Sequence, residues 1–210
     1  MNGVDTGRAA YRVETDRLIL RCWEPSDAPV LRAALDASDS HLRPWIPFMK
    51  NEPRTLAETT EWLRSHRANF DLDLQYRYGV FERGSGELLG ENMLLARIGW
   101  GGLEVGYWTH VDRGGQGYAS EASSAMIRVG FEVSGVDRIE IHCAPGNMAS
   151  AAIPEKLGFA LEATLRRRAP DTEGTVHDLM IWTLFRSDYP ESRASKVPVS
   201  AFDVAGNQLL

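Results

Sequence analysis

An α/β domain built on one mixed sheet is what this sequence predicts, on three observations. Residues 103–111 alternate, are rich in β-forming side chains, and run straight into a glycine-rich turn, Gly114-Gly115-Gln116-Gly117. Past the turn, Ala119, Ala122, Met126, Val129 and Val133 recur at helical spacing, and residues 138–143 (Arg-Ile-Glu-Ile-His-Cys) then read as a strand fit for a sheet interior. Strand, turn, helix and strand in that order form a crossover, which joins parallel neighbours. Elsewhere, strand-like runs come in pairs joined by short turns, the pattern of antiparallel pairing. The expected sheet is therefore mostly antiparallel with one parallel pair at its centre, and helices cover both faces.

Length and composition fit that class. The chain has 210 residues, within the range of one domain, and its 43% hydrophobic and 25% charged residues are ordinary for a globular protein. The expected domain spans residues 11–189, between terminal tails at 1–10 and 190–210. A net charge of -6 argues against general nucleic-acid binding, which shows a basic excess. The local run Arg166-Arg167-Arg168 reads as a solvated strand end. Two cysteines, Cys22 and Cys143, suit a reducing compartment better than a disulfide framework. No apolar run approaches the ~20 residues of a membrane span, and residues 1–11 hold no apolar signal-peptide core. The expected location is cytoplasmic, with no membrane and no nucleic-acid partner. No metal is expected, because the five histidines show no ligand spacing with the cysteines.

In chain order, residues 17–23 alternate and form the first strand. Glu24-Pro25-Ser26-Asp27 supplies a turn and a helix cap, and a helix to about residue 38 follows, with Val30, Leu31, Ala34 and Leu35 on one face. Residues 41–53 hold three prolines and two large aromatics, so a loop or broken helix is expected. Thr55-Leu56-Ala57-Glu58 is a capping box that starts a helix to about residue 70. Trp62, Leu63, His66 and Phe70 lie along one side of it. Residues 75–82 and 88–98 read as a hairpin across Arg83-Gly84-Ser85-Gly86.

After the crossover, Ala144-Pro145-Gly146-Asn147 is a turn, and residues 148–156 make a short helix stopped by Gly158 and interrupted by Pro154. Residues 159–168 and 176–185 form the last two strands. From residue 189 the periodicity is lost, so a tail, a docking arm or a segment folded back on its own chain are all open.

The glycine turn carries the chemistry. A helix that starts on such a turn points free N–H groups and a positive dipole end outward, which suits a phosphate or pyrophosphate. The turn has no Walker lysine, and its glycines lack the dinucleotide spacing Gly-x-Gly-x-x-Gly, so two common nucleotide loops are excluded.

At these residues the chain resembles a family. Gly106-Tyr107-Trp108 on the strand, Gly115-Gln116-Gly117-Tyr118-Ala119-Ser120-Glu121-Ala122 at the turn, Asn147-Met148-Ala149-Ser150, and Glu155-Lys156-Leu157-Gly158-Phe159 follow one another in order. With the earlier His41-Leu42-Arg43-Pro44-Trp45-Ile46-Pro47-Phe48, they resemble the RimJ/RimL-like branch of the GNAT N-acetyltransferases over roughly residues 11–189. The resemblance implies acetyl-CoA as co-substrate and an amine acceptor, either a protein N-terminus of the ribosomal-protein type or a small molecule such as an antibiotic or polyamine. It also implies that the central parallel strands splay, with pantetheine in the wedge and backbone contacts from Trp108, Thr109 and Val111. Pyrophosphate contacts would come from Arg113, Gly114, Gly115, Gln116, Gly117, Tyr118 and Ala119. The family often carries Arg or Gln where Gly114 stands; here Arg113 lies one place early.

Further roles follow by resemblance. Asn147 would bond the CoA arm, although capping the helix at Met148 is a role it can fill at the same time. Ser150 would lie near the sulfur and stabilise the leaving thiolate; the alternative is a helix-surface serine. Trp45 and Phe48 would wall the acceptor mouth, or plug a loop. Glu104 is the first candidate for a general base, with an outward, solvent-paired residue as the alternative, and His142 is the second. A ping-pong route through Cys143 is disfavoured, because His142 points to the opposite strand face. A non-catalytic acyl-CoA sensor and a homodimer both stay open.

Overall fold

The computed structural model describes residues 10–210. Nine strands form one sheet: β1 (Arg12–Glu14), β2 (Leu18–Cys22), β3 (Tyr76–Glu82), β4 (Leu88–Leu95), β5 (Gly102–Thr109), β6 (Arg138–Cys143), β7 (Ala160–Pro170), β8 (Val176–Phe185) and β9 (Ser200–Phe202). Their order across the sheet is β7-β8-β6-β5-β4-β3-β2-β1-β9. Four helices accompany them: α1 (Ala28–Leu42), α2 (Leu56–Asp71), α3 (Tyr118–Arg128) and α4 (Met148–Leu157). Every neighbouring pair is antiparallel except β5 and β6. The expected mixed, mostly antiparallel α/β class is the one observed. Among the described residues, no helix is long and apolar enough to cross a membrane.

Two apolar clusters hold the layers. Leu31, Ala34 and Leu35 of α1 and Leu63 of α2 pack with Trp23, Phe81, Leu88 and Trp108 against one face. Ala122, Ala125 and Met126 of α3 pack with Leu20, Leu94, Leu103, Val105, Ile139 and Ile141 against the other. Alternation along β5 decides which residue goes where, since successive side chains point to opposite faces. Leu103, Val105 and Tyr107 face α3; Glu104 and Trp108 face α1.

The parallel pair is what shapes the site. β5 and β6 register at three positions only, Gly102↔Arg138, Leu103↔Ile139 and Glu104↔Glu140. Beyond them β5 stays paired to β4 as far as Thr109, and β6 stays paired to β8 as far as Cys143. The two strands therefore part past Glu104 and Glu140, and a wedge opens toward their C-terminal ends.

Local sequence explains most boundaries. Thr55 and Glu58 make the expected capping box: the Glu58 N–H donates to Thr55 Oγ1 at 3.2 Å, and the Thr55 N–H donates to Glu58 Oε2 at 2.7 Å. Gly158 ends α4 in the left-handed region at φ +92. Three boundaries differ from expectation. α1 runs on to Leu42, because no breaker precedes Pro44. β4 stops at Leu95. α3 ends at Arg128 and passes into a single π-helical turn, Val129–Val133, where a Cβ on Gly130 would meet Ile139 Cδ1 at 2.7 Å. The short strands β1 and β9 were not foreseen. Of the fates open to the chain past residue 189, the structure shows folding back: β9 pairs with β1, and Leu209 and Leu210 pack against the core.

Candidate active site

The glycine turn lies between β5 and α3. Gly115 (φ +72) and Gly117 (φ +83) take left-handed conformations, and Gly117 is the residue that caps α3. No side chain caps that helix, so its first N–H groups are left to an outside acceptor. The one acid of its first turn, Glu121, is held by Arg17, whose Nε donates to Oε2 at 2.7 Å, and it also accepts from Thr15 Oγ1 at 2.6 Å. Arg17 Nη1 donates to the Gln116 carbonyl at 3.2 Å, and the guanidinium lies 4.5 Å from the Tyr118 ring centroid. Arg17 thus clamps the turn and compensates the acid that would offset the helix dipole. Sequence reasoning had not singled it out.

The side chains expected to reach a cofactor are occupied locally. Arg113 Nη2 donates to Glu87 at 2.5 Å, Gln116 Nε2 to the Asp112 carbonyl at 3.1 Å, and the Tyr118 hydroxyl to Glu82 at 2.9 Å. With these side chains engaged, the backbone N–H groups of the turn and of the first turn of α3 are what is left to an outside acceptor. Along β5, Thr109 pairs with Gly90, and Val111 beyond the strand donates its N–H to Ser38 Oγ at 3.1 Å. The Trp108 indole turns inward and donates to buried Glu91 at 3.1 Å. Gly90 (φ +152) is required beside it, since a Cβ there would fall 2.1 Å from the Trp108 carbonyl oxygen.

The wedge has chemically distinct sides. On the α1 side, Glu104 is 4% exposed and takes two hydrogen bonds from Arg97, at 2.6 and 2.7 Å. His142 Nε2 lies 2.7 Å from Glu140 Oε2, and its Nδ1 lies 3.5 Å from Glu104 Oε2. Arg138 Nε donates to Glu140 Oε1 at 2.9 Å. The outward, solvent-paired alternative for Glu104 is therefore not what the structure shows.

On the α3 side, α4 brings Ser150 to Tyr107. The Tyr107 hydroxyl donates to the Ser150 carbonyl at 3.0 Å, and Ser150 Oγ donates to the Tyr107 oxygen at 3.1 Å. Asn147 Oδ1 accepts from the Ser150 N–H at 3.1 Å, which is a capping bond. Burial holds the Tyr107 hydroxyl above its ordinary range. It also pushes up the nearby Cys143 thiol, against the pull of Ser150 and Trp182. The Tyr107–Ser150 contact is not among the expectations, although Gly106-Tyr107-Trp108 is a noted motif; the alternation of Tyr107 with Trp108 along β5 was the available signal.

The expected mouth residues separate. Trp45 is 39% exposed and borders the turn after β6, where a Cβ on Gly146 would lie 3.6 Å from its ring. Thr172, at the β7–β8 tip, donates to the Arg43 carbonyl at 3.0 Å and ties that hairpin to the same loop. Phe48 instead packs against Trp62, ring centroids 5.2 Å apart and tilted by 53°, within the cluster that α1 and α2 share.

A family model described as an acetyltransferase (GNAT) domain matches residues 17–160. With the fold, this match makes the protein an acyl-CoA-dependent acetyltransferase. The chain belongs to the GNAT family. A Bacillus subtilis (strain 168) protein, YdaF, whose name assigns it only provisionally to the ribosomal N-acetyltransferases, is 27% identical over 181 residues, covering 83% of this chain and 94% of its own. A crystal structure titled as a probable acetyltransferase superposes with TM-score 0.74 at 26% identity, over 82% of this chain and 95% of that one. RimL, titled a ribosomal L7/L12 alpha-N-protein acetyltransferase in complex with coenzyme A, superposes with TM-score 0.74 over 81% of this chain and 95% of its own. At 21% identity, that last likeness is one of fold.

Proposed function

We propose that the protein transfers acetyl from acetyl-CoA to a primary amine, the α-amine of a protein N-terminus, by direct attack. The observation that carries this reading is the wedge past Glu104 and Glu140, with carboxylates and an imidazole on one side and a hydroxyl pair on the other. The names of YdaF and RimL, and the coenzyme A in the RimL structure, support the donor and the acceptor class.

Acetyl-CoA, when bound, supplies a thioester carbonyl. The backbone N–H groups at Gly114–Ala119 fit its pyrophosphate, because α3 begins there without a side-chain cap. The edge of β5 that faces the wedge, from residue 105 to Thr109, lacks a partner strand and suits the amides of pantetheine. Asn147 holds the start of α4, and through it Ser150. The Ser150 and Tyr107 hydroxyls stand where a thiolate can be stabilised. The amine enters past Trp45 on the opposite side, where Glu104 belongs to the group that handles its proton. An α-amine has a pKa of roughly 7.7–8.0, so a sizeable fraction is neutral near pH 7 and strong base catalysis is not needed.

The test is calorimetric titration with acetyl-CoA and with CoA, then thiol release in the same sample on adding N-terminal peptides and small amines. Binding followed by peptide-driven release is expected. Release by small amines alone would move the acceptor to that class. Binding without any release would favour a sensor, and no binding would overturn the reading.

A further inference from the structure

Resting on the reading above, we infer that His142, not Glu104, accepts the proton shed by the amine, and that Glu140 is the positioning residue that holds its ring, with Glu104 as a second carboxylate beside it. Both oxygens of Glu104 are already engaged by Arg97, at 2.6 and 2.7 Å. Each oxygen of that carboxylate already faces a guanidinium N–H, so neither is turned toward an incoming amine.

His142 is held differently. Its Nε2 is within a full hydrogen bond of Glu140, at 2.7 Å, while Nδ1 stands 3.5 Å from Glu104, too far for one. The short contact places the ring proton on Nε2, donating to Glu140, and leaves the lone pair on Nδ1. A proton taken at Nδ1 then gives an imidazolium between two carboxylates. This is the base-and-orienter logic of a catalytic triad, with Glu140 as the orienter and Glu104 beside the nitrogen that takes the proton. The placement suits the role: Glu104 and Glu140 are the last parallel pair before the strands part, and His142 is two residues further along β6, on the same face and at the wedge. The other groups set toward this cluster are Arg97 behind Glu104 and Arg138 on Glu140. From β8, Thr183 pairs with Glu140 and donates to Glu162 of β7.

The step balances as follows. The amine nitrogen bonds to the thioester carbonyl carbon and gives up a proton to His142 Nδ1. The C–S bond then breaks with its electron pair leaving on sulfur, and the thiolate takes up a proton from solvent. The products are the N-acetyl amide and free CoA thiol, and His142 returns its proton to solvent.

The test is the pH profile of kcat/KM, by thiol release, with two peptide amines of different basicity. A limb that moves with the acceptor belongs to the amine. A limb that stays fixed for both acceptors and is absent in His142→Gln belongs to the imidazole. His142→Gln is expected to lower kcat about 100-fold or more while acetyl-CoA affinity by calorimetry stays within about twofold. Glu140→Gln and Glu104→Gln should retain the fixed limb while lowering kcat by less than His142→Gln does, since each leaves the imidazole in place and alters only what surrounds it. Wild-type kcat and an unchanged fixed limb in His142→Gln would overturn the inference. Loss of the fixed limb in Glu104→Gln but not in His142→Gln would return the role to Glu104. Absence of thiol release from the wild-type protein with every amine fails the acetyltransfer reading itself, a separate outcome.

Discussion

Replacing Glu91 by Gln should destabilise this protein more than any surface change, and the reason can be worked atom by atom. Glu91 is 3% exposed on β4 and faces four donors. Oε1 accepts from Trp23 Nε1 and Arg77 Nε, both at 2.8 Å; Oε2 accepts from Arg77 Nη2 at 2.6 Å and Trp108 Nε1 at 3.1 Å. Whichever way a glutamine amide turns, its NH2 meets two donors, one from Arg77 and one indole. Two hydrogen bonds become donor–donor contacts, and a buried guanidinium loses its counter-charge. Breaking a buried pair from one side costs about 3–5 kcal/mol. For a chain of this size that lowers the melting temperature by about 6–20 °C.

Urea unfolding of wild type, Glu91→Gln, Arg77→Met and the double variant measures this directly. The double variant should cost less than the sum of the singles, because neither charge is then left alone. The pH dependence has a definite sign. Arg77 and the other donors hold the Glu91 carboxyl below its ordinary range despite burial. The group's contribution is therefore complete above the unfolded carboxyl pKa of about 4.3 and is lost as pH falls through the lower folded value. The gap between wild type and Glu91→Gln should be full at pH 7 and should close only in acid. A loss below about 1 kcal/mol at pH 7, with unchanged denaturant slope, would refute the assignment of Glu91 as a charged hub.

Further outcomes are expected at the site. Gly117→Val forces a β-branched residue to φ +83 beside the turn, and should cost at least about 1–2 kcal/mol in urea unfolding. By calorimetry it should also weaken acetyl-CoA binding about tenfold or more. Tyr107→Phe removes the donor to the Ser150 carbonyl and the acceptor of its hydroxyl. Single-turnover measurements should show slower thiol release, by about tenfold, with little change in acetyl-CoA affinity. Cys143 is buried with its thiol pushed up, and burial drives the Cys22 thiol to about 12, so neither should react quickly with an alkylating reagent at pH 8. Cys143→Ala should keep most of its turnover; a loss above about 100-fold would revive an acyl-cysteine route.

Much of the architecture was legible because it is written in short-range chemistry. The Thr55–Glu58 capping box, the Gly158 stop and the alternation of residues 138–143 involve neighbours within a few positions, so the string displays them. β1 and β9 were not legible. Each is three residues long, and they exist because residues more than 180 positions apart meet at a sheet edge. The engagement of Arg113 with Glu87 and of Tyr118 with Glu82 was equally hidden, since both acids come from the neighbouring hairpin.

The sequence by itself determined the class of fold, the crossover, the glycine turn that opens α3, and the family to which these motifs belong. Periodicity and backbone propensity act locally and survive in one dimension. Only the tertiary structure decided that β5 and β6 part after Glu104 and Glu140, that Glu104 is spoken for by Arg97, and that His142 stands between two carboxylates from different strands. Charge partners and hydrogen-bond geometry depend on distances of a few ångströms between chain-distant groups, and those distances are set when the sheet assembles.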